Sequence, residues 1–121
     1  MQMNEMQFFE GVPVDGYGPG FFRIAGQVVQ GPICLGPTGL CAWRGYDNLD
    51  PLMALADAVD VIFVGTGAEI AFLPDPVRQC LEKASFGVEP MSSPAACRTY
   101  NVLLSEGRRV ALAALPVATG G

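Results

Sequence analysis

The chain contains no histidine. That removes the side chain most used as a general base near neutral pH, and with it Ser-His-Asp and Cys-His catalysis. Charge is scarce as well: 16% of the residues are charged and 50% are hydrophobic. A disordered chain shows the opposite balance, so this one has a core to bury. Basic residues are the scarcer sign, 7 Lys and Arg against 12 Asp and Glu, for a net charge of −5. Phosphate backbones are held by clustered Lys and Arg, so no nucleic-acid partner is expected. A C-x-x-C pair is missing too, since Cys34, Cys41, Cys80 and Cys97 lie 7, 39 and 17 positions apart. Without paired thiolates or histidine, no metal site is expected. The four cysteines read as reduced, mostly buried thiols acting as small apolar side chains.

A membrane span is excluded on composition, although the mean hydropathy of +0.34 is high. The longest uncharged stretch, 24–43, has the length of a span. Gly26, Gly31, Pro32, Gly36, Pro37 and Gly39 break it as a helix, and broken backbone is not tolerated against lipid. The N-terminus carries Glu5 and Glu10 and no basic residue before Arg23, unlike a signal peptide. It also lacks the Arg-rich, acid-poor character of a transit peptide. The reading is a soluble, cytoplasmic protein.

At 121 residues the length predicts a single domain over 1–121, with 1–5 and 117–121 as loose ends. The first half is rich in glycine and proline. Short apolar runs at 21–25, 27–30, 33–35 and 40–43 are punctuated by Gly26, Gly31-Pro32 and Gly36-Pro37-Thr38-Gly39, the signal of an antiparallel β-meander. In the second half, Asp50-Pro51, Asp75-Pro76 and Ser93-Pro94 each precede a helical pattern. Asp or Ser suits the N-cap and Pro suits the first helical position. These pairs predict helices over about 51–58, 76–84 and 94–106. Strands are predicted between and after them, at 61–64, 86–91 and 109–115. The expected fold is α/β: a three-layer single domain, with an N-terminal β-meander and a central mixed, largely parallel sheet flanked by about three helices.

In open α/β sheets, ligands bind beyond the carboxyl ends of the strands. Two such ends are Gly65-Thr66-Gly67 and Ser92-Ser93, the latter opening the last helix. If their strands run parallel, these loops are neighbours. The glycines admit close backbone approach, and the helix start offers free N–H groups. Arg98 and Asn101 share one face of that helix, while Ala96, Tyr100, Leu103 and Leu104 share another that packs on the sheet. The constellation suits an anion or carboxylate. The same residues also read as a turn, a cap and a surface arginine. No G-x-G-x-x-G or Walker A pattern is present, so no nucleotide cofactor is expected. Cys97, early in the helix and beside Arg98, has two features that lower a thiol pKa, but no histidine to serve as base. Trp43 reads as a core residue or as part of a partner surface.

The stretch Ala95-Ala96-Cys97-Arg98-Thr99-Tyr100-Asn101, continuing through Glu106, Arg108 and Val110, resembles the signature of a small family of unknown biochemical function. Its eukaryotic members are mitochondrial assembly factors of respiratory complex I. Gly16-Tyr17-Gly18 with Phe22-Arg23-Ile24, Trp43, and Val64-Gly65-Thr66-Gly67 resemble further family positions, and the likeness spans roughly 8–115. The resemblance implies a three-layer α/β fold. It also implies that Gly65, Thr66, Gly67, Arg98, Tyr100 and Asn101 form one surface. One departure is Ser92-Ser93, where many members have an acidic residue after the methionine. No catalytic residue set comes with the family.

Two functional readings follow. One is a non-enzymatic interaction module with a protein partner, aiding assembly of a respiratory complex. The other is a small-molecule or anion binder, or an enzyme, using the crevice at Gly65, Thr66, Gly67, Ser92, Ser93, Arg98, Tyr100 and Asn101. A homo-oligomer that hides the apolar excess in a subunit interface is compatible with either.

Overall fold

Gly31 and Pro32 divide the N-terminal strands between two sheets in the computed structural model of the chain, which describes residues 11–118. Strands β1 (Val14–Gly18), β2 (Phe21–Ile24) and β3 (Gln27–Gln30) form an antiparallel three-stranded sheet. The β2–β3 turn is Ala25-Gly26, with φ of +53° and +78°. Two positive φ values in a two-residue loop match the twist of the strands they join. Strands β4 (Ile33–Gly36) and β5 (Gly39–Cys41) instead enter a five-stranded sheet with β6 (Val61–Gly65), β7 (Gly87–Met91) and β8 (Val110–Ala114), in the order β5-β4-β8-β6-β7. The meander is therefore split. The five-stranded sheet is mixed in equal measure rather than largely parallel: β6 pairs parallel with β7 and β8, and β4 pairs antiparallel with β5 and β8. Strand β1 had no sequence signal, because its Asp15, Gly16 and Gly18 are poor strand formers.

Three helices complete the fold: α1 (Asp50–Met53), α2 (Asp75–Glu82) and α3 (Ser93–Ser105). The first is shorter than its pattern predicts. After Met53 the bonds tighten to three-residue spacing, Leu55 N–H to Leu52 and Ala56 N–H to Met53, so the segment continues as turns. Asp50 and Asp75 lie inside their first turns rather than capping them. The Asn48 side chain accepts the Asp50 N–H instead, at 3.0 Å. Ser93 likewise lies inside α3 rather than capping it: the N-cap is Ser92, whose Oγ accepts the Ala95 N–H at 3.3 Å.

Side chains alternate across the five-stranded sheet and feed two apolar clusters. Cys34, Ile62, Val64, Ala111 and Ala113 pack with Trp43, Leu52 of α1 and Val77 and Leu81 of α2. Ile33, Leu35, Phe63, Leu112 and Ala114 pack on the other side with Ala96, Cys97 and Tyr100 of α3 and with Val14, Phe22 and Ile24 of the small sheet. Both faces of the sheet are thus covered, which gives the expected three layers.

Strand β7 lies at one edge. Gly87 N–H donates to Asp60 C=O, and Met91 C=O accepts the Thr66 N–H. Alternate residues face β6, so the backbone of Val88 and Pro90 faces the open side. Pro90 has no N–H to offer there, and this blunts the edge. Of the loose ends predicted at 1–5 and 117–121, residues 1–5 and 119–121 lie outside the described residues. At position 117 the Val117 carbonyl accepts the Gly20 N–H at 3.0 Å.

Candidate functional site

The parallel register Gly65↔Met91 places the Gly65-Thr66-Gly67 turn against the start of α3. Thr66 N–H donates to Met91 C=O at 2.8 Å, and Ser93 N–H donates to Gly67 C=O at 2.7 Å. Ser93 is buried; its hydroxyl accepts the Gly67 N–H at 2.9 Å and donates to the Leu115 carbonyl. The two loops do face each other, and they touch. A Cβ added at Gly65 would lie 2.6 Å from Ser93 Oγ and 2.8 Å from Ser93 Cα. The polar groups of this rim are engaged with one another, so direct contact occupies the place where a crevice is predicted.

Thr66 shapes the chain that follows. Its Oγ1 accepts the Ala71 N–H at 3.0 Å and lies within donating distance of the carbonyls of Glu69 (2.8 Å) and Met91 (3.0 Å). One hydroxyl thereby folds the 66–71 segment back on itself.

Asn101 and Tyr100 are engaged elsewhere. Asn101 makes a reciprocal pair with Val14: its Oδ1 accepts the Val14 N–H and its Nδ2 donates to the Val14 carbonyl, each at 2.8 Å. A side-chain amide matches a peptide group, so Asn101 fastens β1 to α3. Tyr100 is fully buried and donates its hydroxyl to Val12 C=O at 2.8 Å. Arg98 is exposed, and among the described residues no hydrogen bond or ion pair engages it. Gly65, Thr66, Gly67, Ser92 and Ser93 therefore form one cluster, while Tyr100 and Asn101 hold the small sheet.

Cys97 is 4% exposed within the α3 cluster. Burial pushes its thiol up to about 11, which opposes the lowering expected from the helix start and Arg98. Cys97 is expected to react with iodoacetamide under native conditions at least tenfold more slowly than the half-buried Cys41. Time-resolved alkylation with peptide mapping checks this.

The open concavity lies one loop further on. A groove of about 520 Å³ is walled by Ile70–Leu73, by Asp75, Arg78 and Glu82 of α2, and by Val88 and Pro90 of β7. Phe72 is 101% exposed and Ile70 68%, whereas Leu73 between them and α2 is buried. Arg78 bridges Asp75 and Glu82, each at 3.4 Å, and these contacts raise its pKa further. The groove thus has an apolar wall and a rim with two carboxylates to one guanidinium. The sequence reading missed it. The available signal was Ile70-Ala71-Phe72-Leu73, a run of four apolar residues ending at Pro74 that no predicted element absorbed.

Trp43 is buried, with Tyr46 edge-on at a centroid distance of 6.4 Å. It is a core residue, and it also borders a smaller cavity of about 250 Å³ with Val29, Leu40, Cys41 and Arg44. Among the described residues, no helix is long and apolar enough to cross a membrane.

Residues 14–115 match the family described as a protein of unknown function (DUF498/DUF598). An uncharacterised protein of Rhodobacter capsulatus is 49% identical over 117 residues, covering 97% of this chain and 94% of that one. The NADH dehydrogenase [ubiquinone] 1 alpha subcomplex assembly factor 3 of Danio rerio is 32% identical over 117 residues, covering 91% of this chain and 67% of its own. Among solved structures, a Bartonella henselae protein described as an outer membrane protein superimposes with a TM-score of 0.81 at 33% identity, covering 91% of this chain and 98% of that one.

Proposed function

This chain belongs to the DUF498/DUF598 family, with relatives named as complex I assembly factors, and from that membership we propose that it is a non-enzymatic, cytoplasmic module that docks a protein during assembly of a respiratory complex. The observation that carries the reading is Phe72, wholly in solvent beside Ile70 on the wall of a 520 Å³ groove. An aromatic held out by a hydrogen-bonded loop is the residue type that anchors protein interfaces. The rim sets the chemistry of the partner. Arg78 is already neutralised by Asp75 and Glu82, which leaves one surplus carboxylate on a chain of net charge −5. The matching occupant is an apolar segment of the partner flanked by Lys or Arg. The closed contact at Gly65 and Ser93 favours this reading over a small-molecule crevice at the rim.

The test is quantitative affinity purification of the tagged full chain from its native cells, beside Phe72→Ser. The wild type is expected to enrich subunits of an NADH dehydrogenase complex. Phe72→Ser is expected to recover at least tenfold less, in keeping with the roughly 2 kcal/mol of a hot-spot aromatic. Its urea midpoint should be unchanged, because an exposed side chain contributes little to folding. Equal recovery by the two proteins, or no NADH dehydrogenase subunit above background, overturns the proposal. So does light scattering that shows a dimer which Phe72→Ser converts to a monomer, because the groove is then closed by a second copy of the chain.

A further inference from the structure

We propose that Cys34 and Cys41 are a reversible dithiol–disulfide pair, closed by exchange with a small-molecule disulfide of the glutathione type. The two residues are direct partners across the β4–β5 hairpin. Its two-residue turn, Pro37-Thr38 between Gly36 and Gly39, fixes that register. Both side chains leave the same face of the sheet and join the same apolar cluster. The Cys41 thiol lies 3.7 Å from the Gly39 carbonyl, to which it donates.

The ladder settles which kind of pair this is. Leu115 N–H donates to Gly65 C=O, so alternate residues of β8 face β6, and Leu112 and Ala114 face β4. Their partners Leu35 and Ile33 turn toward β8, which leaves the backbone of Cys34 turned toward Cys41. Opposed residues of this hydrogen-bonded type have Cα atoms ~5.5 Å apart, inside the ~4.4–6.8 Å that disulfides span. Their Cβ atoms stand about 4.5–5.5 Å apart, wider than the ~3.5–4.5 Å of a relaxed bridge. Closure therefore draws the two strands together, and a bridge under such tension is readily reduced. Both cysteines are free in this structure.

The pair is also asymmetric. Cys41 is half-buried and borders the 250 Å³ cavity beside Arg44, while Cys34 is fully buried. Cys41 gives its proton to water; its thiolate attacks one sulfur of glutathione disulfide, and glutathione thiolate leaves. That thiolate takes the Cys34 proton, and the Cys34 thiolate then attacks the Cys41 sulfur and expels the second glutathione as a thiolate, which takes its proton back from water. Two protein thiols are oxidised to one disulfide, and one glutathione disulfide is reduced to two glutathiones. Burial pushes the Cys34 thiol far up, so the second exchange is the slow one. Cys97 lies in the other apolar cluster and takes no part.

The test incubates the folded full chain with glutathione disulfide, alkylates the remaining thiols, digests with trypsin without reductant and reads masses. Cleavage after Arg23 and Arg44 puts both cysteines, and no other, in one peptide. That peptide is expected to lose both alkylation sites, to be lighter by two hydrogens than its reduced, unalkylated form, and to regain both sites with dithiothreitol. In Cys34→Ala, one glutathionyl group should persist on Cys41. If that variant does not fold, Cys41→Ser at the half-buried position should show neither bridge nor adduct at Cys34. A persistent glutathionyl group on wild-type Cys41 overturns the proposal, as does an unmodified peptide after prolonged exposure or a bridge to Cys80 or Cys97.

Discussion

Tyr100→Ala is expected to remove about 3–5 kcal/mol of folding stability, the range for truncating a buried aromatic. The ring is fully buried where α3, the five-stranded sheet and the small sheet meet. Its hydroxyl donates to the Val12 carbonyl, so truncation also strands a polar group. Domains of this kind hold about 5–15 kcal/mol in all. The loss should lower the urea midpoint by about 2 M, given slopes of roughly 1–3 kcal/mol per molar urea. Tyr100→Phe separates the two parts: it keeps the packing and loses one hydrogen bond, at about 1–2 kcal/mol. Equal midpoints for the two variants would refute this division.

Gly65→Ala is expected to cost about 3 kcal/mol, the upper end for forcing atoms into a packed site. Distance rather than backbone conformation is the reason. The added methyl would stand 2.8 Å from Ser93 Cα and 3.0 Å from Ala114 Cβ, neither of which can swing away. It would also press on Ser93 Oγ, which joins the Gly67 and Leu115 backbones. Gly16→Ala is the control: nothing lies within 4 Å of its added methyl, and its folding stability should change by less than about 0.5 kcal/mol. Urea denaturation of the three proteins side by side decides the matter, and similar midpoints for both variants would remove the close contact from the account.

Where local chemistry dictates structure, the sequence was legible. A serine cap opens α3, one residue before the Ser93-Pro94 pair places it, Val61–Gly65 is a buried strand, and the turn at 65–67 reaches the helix start as the βαβ pattern requires. Long-range partners were not legible. Asn101 shares a helix face with Arg98 by spacing alone, and nothing in its neighbourhood announces β1, whose residues carry little strand preference. Without β1, the amide has no visible partner and reads as part of a binding surface. The same blindness hid the rim. Spacing brings Gly65 and Ser93 together, but it does not tell a ligand-sized gap from the single hydroxyl that lies between them. The groove escaped because Ile70 and Phe72 sit outside any periodic element, and hydrophobic pattern is informative only inside one.

Pro90 bears on how copies of this protein behave when crowded. Filaments that grow by adding backbone to backbone need a long, regular row of donors and acceptors on an exposed strand. One side of the five-stranded sheet offers only the Val88 N–H between two carbonyls, because the proline nitrogen is closed by its own ring. The opposite side, β5, is three residues long. Neither edge of this sheet can seed end-to-end growth, so the aromatic ring that Phe72 displays beside β7 does not adjoin a ready template for stacking copies.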